Sequence, residues 1–240
     1  MTRRISRSYL MDQPFSFSAG SVNGRSEYTA LRLTGDYLVR GVDRVFGLSL
    51  TGTQGLDGSR SDVPGAPTPK QHFRILLAQL NYAQRLSDKG LELRARLSGQ
   101  ITDSVLYSGE RFSAGGGTTV RGYRENLLLA DNGLVASVEL AQPISLSGRQ
   151  GRGGPFDWGA FTISGFVDAA RLRNHRPPEP GPTLLGAGAA AAWTPSDWMS
   201  AQLTYGVALK KRPPVAETDI QDHGLNFRLT VRPLRALRRR

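Results

Sequence analysis

Between Leu91 and Thr102 the chain alternates strictly: Leu91, Leu93, Ala95, Leu97, Gly99 and Ile101 interleave with Glu92, Arg94, Arg96, Ser98, Gln100 and Thr102. Successive side chains of a β-strand point to opposite faces, so this run suits a strand with one greasy and one charged face, and no helix. The alternation returns at Met199, Ala201, Leu203, Tyr205, Val207 and Leu209 against Ser200, Gln202, Thr204, Gly206 and Lys210. Leu225, Phe227, Leu229 and Val231 stand against Asn226, Arg228, Thr230 and Arg232, and Leu31, Leu33, Tyr37 and Val39 against Arg32, Thr34, Asp36 and Arg40.

Segments bounded by Gly, Pro, Asp and Asn predict about ten strands, at roughly 5–20, 27–40, 43–56, 71–86, 90–106, 132–144, 157–173, 183–194, 197–211 and 223–233. Many are about ten residues or longer, the length that crosses a bilayer at a tilt, whereas ordinary strands average about 5–6. A soluble sandwich would turn the apolar face to a core and a barrel would turn it to lipid; length favours the barrel. Tight turns are expected at Gly41–Val42–Asp43, Ser87–Asp88–Lys89–Gly90 and Pro195–Ser196–Asp197, and long links at 55–70, 107–131, 174–182 and 211–222. Short turns on one side and long loops on the other are the habit of bacterial barrels. The fold class expected is all-β, an antiparallel transmembrane β-barrel portion.

Composition narrows the rest. The 240 residues include 28 Gly and no Cys, and no apolar stretch approaches the length of a membrane-spanning helix. A net charge of +11 admits a nucleic-acid partner, as in a soluble basic β protein whose binding would weaken steeply with salt. The basic residues are nevertheless scattered, apart from a tail at 235–240, so no nucleic acid is expected as partner. Arg3, Arg4 and Arg7 are followed by no continuous apolar run, which leaves no readable export signal.

Tyr107 to Asp131, YSGERFSAGGGTTVRGYRENLLLAD, is the most distinctive stretch. Gly115, Gly116 and Gly117 permit positive φ and a tight fold, after which Val120, Arg121, Gly122 and Tyr123 present an arginine whose planar fork can grip a carboxylate. Phe112, the glycines and the VRGY run resemble the loop motif of the two-partner secretion transporters, the hemolysin secretion/activation family of the POTRA-barrel superfamily. Ser137 to Pro143 is similar to that family's following strand, and Gly165–Phe166–Val167–Asp168–Ala169 to its next.

The resemblance implies an outer-membrane barrel that passes one secreted exoprotein, without covalent chemistry and without a cofactor. It implies a loop folded into the lumen, with Arg121 paired to an inward acidic residue, Asp168. Alternation agrees: Phe161, Ile163, Val167 and Ala169 share one face, and Thr162, Ser164, Phe166 and Asp168 the other. By the same test Glu139 is a second candidate partner, lying opposite Leu134, Ala136, Val138 and Leu140. Family members are much longer and carry a signal peptide and POTRA domains, so residues 1–234 are expected to be the last ten strands of a larger barrel, with its N-terminal half as a possible partner beside the exoprotein and membrane lipid. A barrel-assembly factor of the same superfamily is the nearest alternative.

Other motifs are weaker. Gly186-x-Gly188-x-x-Ala191 has the spacing of a dinucleotide fingerprint but no βαβ context, and Gly117 to Gly122 has phosphate-loop spacing but continues into Tyr123 instead of Lys. His72, His175 and His223 are far apart in sequence, and no metal site is expected. Tyr37, Phe46, Tyr82, Trp158, Trp193, Trp198 and Tyr205 are candidates for interfacial girdles.

Overall fold

The alternating runs pair edge to edge. A computed structural model describes residues 1–18, 20–60, 68–144, 160–175, 181–196, 198–210 and 220–232. Ten strands follow one another along a single sheet: β1 (Thr2–Arg7), β2 (Arg25–Arg40), β3 (Arg44–Gly58), β4 (Arg74–Arg85), β5 (Glu92–Thr102), β6 (Asn132–Ile144), β7 (Ala160–Arg173), β8 (Thr183–Ser196), β9 (Met199–Ala208) and β10 (Leu225–Val231). Each pairs antiparallel with the next, and an eleventh short strand, Ser21–Val22, adds to β2. The path runs from β1 to β10 without joining them, and among the described residues there is no α-helix.

The sheet is inside out relative to a soluble protein. Leu33, Ile101, Val138 and Val167 are 80%, 63%, 49% and 52% exposed, while Arg121, Gln100, Ser137 and Asp168 are buried. A face of exposed aliphatic side chains on strands of 16, 15 and 14 residues is a surface for hydrocarbon, and the polar face behind it encloses the lumen. Tyr37, Phe46, Tyr82 and Trp193 all fall on the outward face within a few residues of the tight turns, and Phe161 stacks on Trp193 with ring centroids 5.9 Å apart. Tyr205 also points outward but lies away from that band, at the register of Ala189, and Trp158 is outside the described residues.

Two expectations need correcting. The strand expected at 5–20 is instead β1 followed by a small hairpin of Tyr9–Leu10 and Gln13–Pro14, because Met11 and Asp12 adopt positive φ (47° and 62°) and turn the chain back. The separation of short turns from long loops is also incomplete. Gly41 N–H donates to the Arg44 carbonyl and Gly90 N–H to that of Ser87, closing two tight turns, and β8 pairs with β9 as close as Ser196 with Met199. On this same side, however, β6 ends at Ile144 and β7 begins at Ala160, so fifteen residues of sequence separate them.

At the long-loop end the lumen is filled. Ala114, Val120 and Tyr123 of the 103–131 loop pack on Val135, Ala170, Leu172 and Leu184 of the wall. Beside them Tyr28, Phe73, Leu106 and Tyr107 form a second cluster, Tyr28 stacked on Tyr107 at 4.8 Å. Where the loop covers them, these inward apolar residues interrupt the polar lumenal face.

Candidate functional site: a loop locked against the barrel wall

The loop leaves β5, turns through the 3-10 segment Ser108–Glu110, and forms a two-stranded ribbon in which Phe112–Ala114 pairs with Leu128–Ala130. The Phe112 ring lies over Gly133, where a Cβ would collide with it. Of the three consecutive glycines, Gly115 and Gly116 take φ of 113° and 101°. Gly117 does not share that conformation; its N–H instead donates to the Glu125 carboxylate at 2.7 Å. The tip Val120–Tyr123 is thereby delivered to the wall formed by β6 to β9.

There Arg121 is enclosed. Its Nε and Nη2 donate to the two oxygens of Asp168 at 2.7 and 2.8 Å, a bidentate fork, and its backbone N–H donates to the same carboxylate at 3.0 Å. Nη1 donates to Glu139 at 2.6 Å and Nη2 also to the Ser137 hydroxyl at 3.2 Å. The guanidinium Cζ lies over the Phe166 ring, 3.3 Å from its centroid, which adds a cation–π contact. Ladder pairing explains the convergence: Ser137 stands beside Asp168, and Glu139 beside Phe166, on adjacent strands. Burial alone would push the arginine's pKa down, but the hydrogen bonds to Asp168 and Glu139 outweigh it and hold it above its ordinary value.

The opposite flank of the tip needs absent side chains. Gly122, at φ 92°, lies so near β9 that a Cβ on it would stand 2.7 Å from the Val207 carbonyl carbon. A Cβ on Gly206 would stand 2.6 Å from the Gly122 nitrogen, and one on Gly186 would strike the Arg121 carbonyl oxygen. The Gly186-x-Gly188 spacing thus marks a close approach of backbones.

Phe112, Gly115, Gly116, Gly117, Val120, Arg121, Gly122 and Tyr123 lie in the one loop expected of them; the structure brings Arg121 against Asp168, Glu139 and Phe166, and sets Phe112 over Gly133. Further fastenings were not expected from the sequence. The Tyr123 hydroxyl sits between the ends of β8 and β9, within 2.9 and 3.0 Å of the Leu185 and Lys210 carbonyls and accepting from their amides. Arg124 forks onto Asp222 at 2.8 and 2.5 Å, and Glu125 N–H donates to Gln221, fastening the loop to the 3-10 turn Ile220–His223 before β10. Fully buried Asp131 accepts from the Leu106 and His175 amides and closes the loop's base.

A family description, haemolysin secretion/activation protein ShlB/FhaC/HecB, matches residues 2–192. The chain belongs to this family. It is similar to the outer membrane transporter CdiB of Dickeya dadantii (strain 3937), 27% identical over 153 residues, which are 62% of this chain and 25% of that protein. The solved structure of CdiB from Escherichia coli superposes with a TM-score of 0.74 at 20% identity, covering 95% of this chain and 40% of the other, and shows the shared fold. The chain thus spans a quarter of the one relative and two fifths of the other. Membership of this two-partner secretion family places the protein in the bacterial outer membrane.

Proposed function

We propose that the chain forms part of the wall of a secretion pore that passes and activates one cognate haemolysin- or adhesin-type exoprotein, and that the Arg121 loop controls that passage. The observation that carries this reading is the enclosure of Arg121 by Asp168, Glu139 and Phe166 inside the lumen. A loop needing only to cross water would not desolvate an arginine against two carboxylates; a loop that must hold one position inside a pore would. No bond is made or broken in this account, and directionality comes from folding of the exoprotein outside. Residues 1–234 belong to the barrel, with strands β1 to β10 as wall facing lipid, and the open edges of β1 and β10 meet further strands, since unpaired backbone in hydrocarbon costs several kcal/mol per group, to order of magnitude.

The experiment is secretion of the cognate exoprotein by cells carrying Arg121→Ala, with the amount of variant in the outer membrane measured alongside. Loss of secretion at an unchanged amount is expected. Normal secretion would remove the loop from the mechanism, and loss of many outer-membrane proteins together would favour a barrel-assembly role.

A further inference from the structure

We propose that the lumen beside the loop is a groove for acidic stretches of the translocating polypeptide, with Arg96 and Arg228 as its carboxylate-binding residues. This rests on the secretion reading and adds the chemistry of the segment recognised. Below the loop tip, toward the tight turns, is a cavity of about 420 Å³ that four arginines line, Arg94, Arg96, Arg121 and Arg228. Its two carboxylates are already engaged: Glu139 with Arg121 and Arg94, and Glu125 with the Gly117 amide.

Arg121 and Arg94 are correspondingly neutralised, Arg94 also by Glu92 at 2.9 Å. Arg96 and Arg228 differ. Both are exposed to this space, and among the described residues neither has a carboxylate within ion-pair distance. The register explains why: Arg96 faces Asn81 and Ser137 on its neighbouring strands, and Arg228 faces Gln202. Two solvated guanidiniums across one cavity, each with its donors unspent on protein carboxylates, match side-chain carboxylates arriving on an extended chain.

The groove continues past the loop. A second space of about 470 Å³ shares Arg96 and Thr118 with the first and lies between the loop and strands β4 and β5. Gln79, Asn81, Ser98, Ser113 and Thr119 line it with neutral amides and hydroxyls, which can hydrogen-bond a peptide backbone of any sequence. Leu77, Phe112 and Val135 and an arginine already paired with Asp131, Arg111, also line it, so a mouth with two uncompensated arginines captures acidic residues and a mixed wall without further free cations lets the chain slide.

The test uses the full chain purified in neutral detergent and a fluorescein-labelled Asp-rich peptide, with binding followed by anisotropy. Binding that weakens as salt rises is expected, because exposed charges are screened. Arg96→Gln with Arg228→Gln should weaken it by about tenfold, whereas Arg44→Gln, next to a tight turn, should leave it unchanged. Circular dichroism of each variant confirms that the sheet is retained. Equal binding of a Gly/Ser peptide, unaltered binding by the double variant, or equal and equally sensitive binding of a single-stranded oligonucleotide would each overturn the proposal. Because peptide binding is read on purified protein, its failure is separable from failure of the secretion reading, which shows as an unsecreted exoprotein in cells carrying the unaltered chain.

Discussion

Arg121 gives Asp168 three hydrogen bonds at once, one from its backbone N–H at 3.0 Å and two from its guanidinium at 2.7 and 2.8 Å. The carboxylate therefore fixes the conformation of the loop tip as well as the direction of its side chain. Asp168 is fully buried, so either charge left alone would be stranded away from water.

Removing one partner, by Arg121→Ala or Asp168→Ala, is expected to destabilise the docked loop by about 3–5 kcal/mol, the usual cost of an uncompensated buried charge. Arg121→Lys should recover only part, because an ammonium cannot serve both Asp168 oxygens, Glu139 and Ser137 from one plane. Protease cleavage within residues 113–126, timed in detergent-solubilised protein, measures this; equal cleavage of the lysine variant and the unaltered chain would refute the fork.

Gly206→Val tests the opposite flank. With a Cβ only 2.6 Å from the Gly122 nitrogen, the tip must lift from β9, at a cost of about 1–3 kcal/mol for overpacking. Gly35→Val should be tolerated, since nothing stands within 4 Å of that position. The two variants, compared by thermal unfolding and by loop proteolysis, should separate clearly, and identical behaviour would count against the close approach.

The strand pattern was legible because lipid and lumen impose opposite demands on alternate residues, and nine of the ten path strands begin and end within a few residues of where alternation places them. Asp168 came from the family resemblance, with alternation agreeing that it points inward, and Glu139 from alternation once the motif supplied Arg121. The N-terminal segment was not, because Met11 and Asp12 take a left-handed turn that no glycine announces. Nor were Val135, Ala170, Leu172 and Leu184, inward apolar residues whose partner is a loop distant in sequence. The bonds from Arg124 to Asp222 and from Tyr123 to the ends of β8 and β9 join positions that local pattern cannot connect.

Tyr107 should make the long-loop end sensitive to alkali. Burial in the aromatic cluster, with Asp57 adding to it, pushes its phenol from 10.0 up to about 12. The folded state favours the neutral form, so this contribution is intact below pH 10 and is lost as pH rises through about 12. Tyr107→Phe should flatten the fall in melting temperature between those pH values, and an equally steep fall in the variant would show that Tyr107 does not control it.

Val167→Arg probes the medium outside. Val167 is 52% exposed on the outward face of β7, next to inward Asp168, and an arginine at the middle of a bilayer costs about 2–4 kcal/mol on such a barrel face. Unfolding in lipid vesicles should show that cost, whereas an unchanged stability would place this face in water.

Hydrogen–deuterium exchange of the loop amides in membranes tests the central claim, that the loop is locked in the lumen by Arg121. The amides of Gly115, Gly116, Gly117, Arg121 and Glu125 each donate within the docked arrangement. They should exchange slowly in the unaltered chain and rapidly in Arg121→Ala, while amides of β6 and β7 remain protected in both. Rapid exchange of these loop amides in the unaltered chain, or protection that survives the substitution, would contradict the account.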